Sequence, residues 1–238
     1  IYRIIFYHVP AAWTAFIGFF VAMVMSVTHL ATKKLQYDAV AVAATEVSLA
    51  FAAVNLVTGM FWGRIIWGIW WTWDPRLTSM LVCVLLYAGY LMLRQAIEDP
   101  TARARASAVL SIFAFVDVPI VFFSIKWWRT QHPAPVVYAG GSMDTEMWRM
   151  LFLNWVPILL LWVVLLSLRM RQEETRRELD ALRRHAHARP SALRMCGSCA
   201  RAPRAVMLSG GRTLGCPLMR RIVSGITTRR VSGGLLMR

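Results

Sequence analysis

Five runs of roughly twenty predominantly apolar residues, each the length a helix needs to cross a bilayer core, leave this chain few folds to choose from. They fall at about 11–31, 39–61, 77–97, 107–125 and 148–168 on hydropathy and helical length. In lipid a helix satisfies its own backbone donors and acceptors, which an irregular segment cannot do. With 58% hydrophobic and 16% charged residues among 238, an ordinary soluble domain is excluded. The expected class is all-α, a polytopic transmembrane helical bundle with five spans and with loops outside the membrane.

A formal charge of +15 invites a nucleic-acid reading, but its placement argues otherwise. Residues 187–238 carry ten Arg and no acid, which leaves 17 of the 27 basic residues against all 12 acidic ones, a net of +5. A basic tail behind a hydrophobic bundle fits the cytoplasmic excess of Lys and Arg in membrane proteins, so no nucleic-acid partner is expected. The chain opens at Ile1 with no charged n-region or cleavage site ahead of the first run and reads as a fragment. Cys83 lies in an apolar run and Cys196, Cys199 and Cys216 lie in the tail, with no disulfide framework. The spacing of Cys196 and Cys199 has no second ligand pair or βαβ context to support a redox or zinc role.

Between the runs lie a short polar loop with Lys33 and Lys34, a Trp-rich stretch over 62–76, a polar loop holding Arg94, Glu98, Asp99, Pro100, Arg103 and Arg105, and a Pro/Gly loop over 126–147. Residues 171–186 suit a short solvated cytoplasmic helix with Glu and Arg at i,i+3 and i,i+4 spacing. The two Lys/Arg loops and the tail must share a side, and together they outweigh the other side, which predicts the N-terminus out and the C-terminus in. The same count puts His8, the Trp-rich stretch and His132 on the outer face. His29, His185 and His187 fall on the inner side.

The Trp-rich stretch, Trp62-Gly-Arg-Ile-Ile-Trp-Gly-Ile-Trp-Trp-Thr-Trp-Asp-Pro-Arg76, holds five of the eleven tryptophans. One Trp at a membrane interface is an anchor. Five in one loop, with Arg64 and Arg76 beside them, suit a large planar aromatic ligand bearing carboxylates: the faces stack and the guanidinium groups pair with the acids. A lone loop histidine is most often just solvated. His8 and His132 bracket the Trp stretch on one face, and two neutral imidazoles can ligate haem iron from opposite sides. Glu46 and Asp117 lie inside runs, where a carboxylate is costly and faces protein interior; a part in passage or gating is open to them.

At Trp67-Gly-Ile-Trp-Trp-Thr-Trp-Asp-Pro-Arg-Leu-Thr-Ser79 the sequence resembles the WWD-motif haem-handling proteins of cytochrome c maturation. The ending Arg76-Leu-Thr-Ser79, with Tyr7-His-Val-Pro-Ala-Ala-Trp13 and Pro119-Ile-Val-Phe-Phe-Ser-Ile-Lys-Trp-Trp-Arg-Thr-Gln-His132, is similar to the haem exporter protein C (CcmC) family in particular. The resemblance covers about residues 1–170, the expected haem-handling domain. It implies that His8 and His132 are axial ligands of a haem b carried as cargo, and that Trp67, Gly68, Trp70, Trp71, Trp73 and Asp74 form a platform for haem and partner. It also implies that Arg76 and Arg3 pair with propionates. The implied partners are ATP-binding-cassette transporter subunits, a small single-span subunit and a periplasmic haem chaperone that receives the haem; the implied location is the bacterial inner membrane, with the site facing the periplasm. No bond-making step, hence no enzyme activity, is implied. Family members have six spans, so a further helix is expected ahead of Ile1. The tail over 187–238 resembles nothing in the family and reads as disordered, or as the product of a reading-frame change.

Two rival readings remain in play. A haem permease would need a polar path through the bundle, for which Glu46 and Asp117 are the candidates. A cytochrome b-like electron-transfer subunit would want histidine pairs inside the helices, whereas both candidates here are expected in loops.

Overall fold

The computed structural model describes residues 2–132 and 144–200, with the side chains of residues 3–132 and 144–183. A 3-10 turn at Tyr2–Ile4 leads into α1 (Ile5–Thr32), which is followed by α2 (Leu35–Trp67), α3 (Pro75–Ala96), α4 (Pro100–Phe115), α5 (Asp117–Trp127) and α6 (Thr145–Ala200). Taking α4 and α5 as one span, five helices among the described residues are long and apolar enough to cross a membrane, the last of them within Thr145–Arg183 of α6. The protein is all-α, as its apolar runs require. The site and its supports lie within the compact unit Ile1–His185.

Local chemistry sets where the helices stop and start. Asp74 and Asp99 cap α3 and α4, accepting from the amides of Arg76 at 2.9 Å and Ala102 at 2.6 Å. Each is followed by a proline at the first helical position, where the missing N–H has no intrahelical partner to lose. Gly68, with φ 77°, closes α2 in the left-handed conformation that glycine adopts without a Cβ penalty. Pro119 cannot donate to the Phe115 carbonyl and its ring crowds that group, so the fourth span breaks at Val116, whose N–H turns to Phe113 O at 3.1 Å.

The helices overrun the hydropathy boundaries. Pro10 sits inside α1 rather than at its start; so close to the N-terminus it forfeits a single bond, to the Phe6 carbonyl, and His8 is therefore helical, not in a loop. Trp62 to Trp67 belong to α2, so the Trp-rich loop is only Gly68–Trp73 before the Asp74 cap. At 33 residues α2 is about 50 Å long against a hydrocarbon core of about 30 Å, so its aromatic end extends past the apolar layer. The expected second polar loop shrinks to 97–99: Arg94 lies in α3, and Arg103 and Arg105 lie in α4. Residues 171–183 continue the helix of the last span without a break. Of the tail expected from residue 187, the part beyond 200 lies outside the described residues.

The architecture is two helical hairpins. The first pairs α1 with α2 across the connection Lys33–Lys34, where His29 accepts the Lys33 amide on its carbonyl and its Nδ1 lies 2.9 Å from Lys34 O. The second pairs α3 with α4 and α5 across residues 97–99. Small residues let α1 and α2 approach closely: Ala11, Ala15 and Ala22 face Ala44 and Ala52, all buried. Gly18 is part of this seam, since a Cβ there would stand 1.7 Å from Ser48 Oγ. The hairpins meet through α1 against α4 and α2 against α3, with Phe19 stacked on Tyr87 at 3.7 Å between ring centres.

Long polar side chains fix α6 to this body. The indole N–H groups of Trp155 and Trp162 donate to Thr14 Oγ1 at 3.2 Å and Ser48 Oγ at 3.0 Å. Arg169 pairs with Glu46, which gives that intramembrane carboxylate a structural partner. Arg177 reaches Asp38 at 3.3 Å, and Asp38 also receives a bidentate pair from Arg94 at 2.6 and 2.9 Å; both Asp38 and Arg94 are buried.

Candidate functional site

At the end of the bundle opposite the two tight connections, the first turns of α1, the last turns of α2, the start of α3 and the end of α5 surround a cavity of about 340 Å³. Met147 and Leu151 of α6 close its side. The volume falls within the range of small-molecule and cofactor sites. Its wall is mostly apolar, with His8, His132, Arg76 and Asn55 the polar exceptions.

His8 is gripped by α2. Thr58 donates its hydroxyl to Val54 O at 2.8 Å, and its oxygen lies in hydrogen-bond contact with the His8 ring Nδ1 at 3.0 Å. The Asn55 amide, buried, donates to His8 O at 2.9 Å and lies 3.3 Å from the same Nδ1. Gly59 faces the ring from below: a Cβ there would come within 3.1 Å of Cε1. With Nδ1 occupied by α2, Nε2 is the ring nitrogen left for a ligand in the cavity, and such outer partners set both the tautomer and the orientation of a ligating histidine.

His132 reaches the same cavity from the segment after α5. That segment is tied to the start of α3: the buried Asp74 carboxylate accepts from Thr130 Oγ1 at 2.7 Å and from Gln131 N at 2.7 Å, while Thr130 Oγ1 accepts from His132 N at 3.0 Å. Arg76 lines the cavity beside it, with Nη1 donating to Val121 O at 2.6 Å and to Phe122 O at 3.3 Å. The guanidinium is thus held at the mouth by α5 backbone while offering further N–H donors, a geometry suited to an anionic group.

The expected site residues separate into two groups. His8, His132, Trp67 and Arg76 share the cavity, together with Trp62 of the Trp-rich stretch and with Trp13, which the sequence did not assign to it. Trp67 packs edge-on against Trp62, with ring centres 5.3 Å apart. Trp70, Trp71, Trp73, Gly68, Asp74 and Arg3 do not line it. Trp70 and Trp73 are 50% and 77% exposed; Trp70 leans edge-on against Phe61 and Trp71 against Trp73. The indoles therefore form perpendicular pairs rather than one flat stack. Gly68 ends α2, and its carbonyl receives the Arg64 guanidinium. Arg3 is exposed, and Asp117 is buried at the start of α5, away from the cavity.

Asn55, Thr58, Gly59 and Thr130 are the residues the sequence did not yield. Asn55 carried a signal, being an amide in an otherwise apolar run; Thr58 and Gly59 are too common in membrane helices to stand out.

These features define a class: a multi-pass helical membrane protein whose spans enclose, at one end of the bundle, an apolar cavity flanked by two histidines and an arginine. The family model described as Heme exporter protein C matches residues 1–185, and the chain belongs to that family. Among its curated relatives is Heme exporter protein C of Bradyrhizobium diazoefficiens, 40% identical over 185 residues, covering 76% of this chain and 69% of the relative. The proteins of the same name from Escherichia coli K12 and Paracoccus denitrificans are 37% and 35% identical, covering 71% and 76% of this chain and 69% and 76% of their own lengths.

Proposed function

We propose that this protein binds haem b at the outer face of the bacterial inner membrane, with His8 and His132 as axial ligands, and hands it to a periplasmic haem chaperone during cytochrome c maturation. The observation that carries this reading is the meeting in one apolar cavity of two histidines far apart in sequence, each backed by its own hydrogen bonds. The donor set fits. Two imidazoles supply axial nitrogens to an iron that brings its own equatorial ligands, Trp62 and Trp67 offer aromatic surface, and Arg76 offers N–H groups to a propionate. The apolar lining keeps water from the iron, one of the means by which a protein tunes a haem.

The exposed Trp70 and Trp73 do not line the cavity, so their role in this reading is toward the acceptor protein, as exposed aromatics of the kind that recur at interfaces. The relatives' name, heme exporter protein, fits a chain that moves haem without making or breaking bonds in it. In the same reading the chain works beside the membrane and ATP-binding subunits of a cassette transporter and a small single-span subunit. The Lys/Arg-rich ends of the spans face the cytoplasm.

The test is spectroscopic. Purified in detergent and titrated with haem, the wild-type chain is expected to give a six-coordinate low-spin spectrum, and His8→Ala and His132→Ala each to convert it to a high-spin form that added imidazole reverses. If both variants keep the wild-type spectrum, the ligand assignment is wrong.

A further inference from the structure

We infer that Asp74, the acid of the tryptophan motif, is a positioning residue for His132 and not part of the haem-binding wall, and that it acts through the Thr130 hydroxyl. The inference rests on the ligand reading above, but its observations are independent of it. Asp74 is 6% exposed and does not line the cavity. Its Oδ1 accepts from Arg76 N, which caps α3, and both oxygens lie 2.7 Å from Thr130 Oγ1; Oδ2 also accepts from Gln131 N.

A threonine hydroxyl has one proton to give, and here it goes to the carboxylate. The oxygen's lone pairs are then free to receive the His132 amide at 3.0 Å. Two consecutive backbone N–H groups, those of Gln131 and His132, are therefore anchored to one buried carboxylate, the first directly and the second through Thr130. That fixes the backbone from which the imidazole projects. Bonds to a charged acceptor are the strong class, about twice a neutral bond.

The arrangement matches what α2 does for the other histidine. Asn55 and Thr58 close the open mouth of the first hairpin onto His8; Asp74 closes the open mouth of the second hairpin onto His132. A polar side chain from the partner arm of its own hairpin thus serves each histidine, on the ring and carbonyl of His8 and, through Thr130 and Gln131, on the backbone of His132. The acid is required because three donors converge on it: Arg76 N, Thr130 Oγ1 and Gln131 N. An amide would preserve the cap, since Asn caps as well as Asp, but its NH₂ would oppose a donor instead of accepting it.

This separates positioning from capping. In the full chain titrated with ferric haem, Asp74→Asn and Thr130→Val are expected to reproduce His132→Ala, converting the spectrum to the high-spin form that imidazole reverses, whereas Thr130→Ser retains the wild-type spectrum. Hydrogen exchange of the Gln131 and His132 amides is expected to rise about tenfold in Asp74→Asn and Thr130→Val and to stay unchanged in Thr130→Ser. If His132→Ala alters the spectrum while Asp74→Asn and Thr130→Val leave it as wild type, the positioning role is overturned and the ligand reading stands. If His132→Ala itself changes nothing, the ligand reading fails; exchange then decides whether Asp74 orders this segment, and unaltered exchange overturns that as well.

Discussion

At the residue scale, each histidine is held by hydrogen-bonding neighbours. Thr58 and Asn55 orient His8, and outer partners of ligating histidines typically contribute about 10–100-fold in affinity. Thr58→Val and Asn55→Leu, which remove the bonds while keeping bulk, are expected to weaken haem binding by about that factor with the cavity otherwise intact, as equilibrium titration in detergent would measure. Gly59→Ala should add to the loss, because the new methyl would press on Cε1 at 3.1 Å. The histidines themselves were legible from the sequence because two of them fell on one face on counting spans. Their supports were not, since a threonine in an apolar helix looks the same whether it bonds its own carbonyl or a ring across the interface. Asp74 was legible through its motif, but its hydrogen bonds to Thr130 and Gln131, 56 and 57 positions later, were not.

At the scale of elements, the hydrophobic runs found the five spans among the described residues because lipid demands continuous helix, whereas hydropathy leaves the Asp-Pro pairs that start α3 and α4 in loops. Hydropathy could not see where helices pass the apolar layer. Trp62 to Trp67 and residues 171–183 are helical for reasons of propensity and stop signals, with Gly68 ending the former. The break at Val116 was present in Pro119 and overlooked, since proline in a span is common and its carbonyl four residues back must be checked one by one. The seam between α1 and α2 offers a stringent test of packing. Gly18→Val would drive its side chain into Ser48 and Trp162 and is expected to destabilise the protein by about 1–3 kcal/mol or more, read as a lower thermal midpoint in detergent.

For the whole molecule, the buried and half-buried ion pairs Asp38–Arg94 and Glu46–Arg169 join helices. Asp38 receives Arg94 from α3 and Arg177 from α6, so one buried carboxylate ties three helices together. Removing one member of a buried pair strands the other, which typically costs about 3–5 kcal/mol, whereas replacing both with apolar residues is close to neutral. Asp38→Leu is therefore expected to destabilise far more than the Asp38→Leu/Arg94→Leu double variant, as unfolding in detergent would show; a double-variant loss equal to the sum of the two single losses would mean that the residues act independently rather than as a unit. The sequence read Arg94 as a loop residue marking the cytoplasmic side. Its burial escaped detection because a lone arginine near a span end looks like an interface charge until its acid on another helix is known.

The two clasps also bear on how occupancy and stability are linked. Each histidine is secured within its own hairpin, so neither clasp joins one hairpin to the other at the open end. A metal ligand coordinated by both imidazoles would supply that missing cross-brace, and its binding free energy would be spent on the seam between the hairpins. By mass action a ligand at a hundred times its dissociation constant adds about 2.7 kcal/mol to the folded state. Loading would then stiffen the junction of α1 with α4 and of α2 with α3 at the open end while leaving both clasps as they are, and release of the cargo would leave the hairpins joined by the packing of those helices and by the Asp38–Arg94 pair.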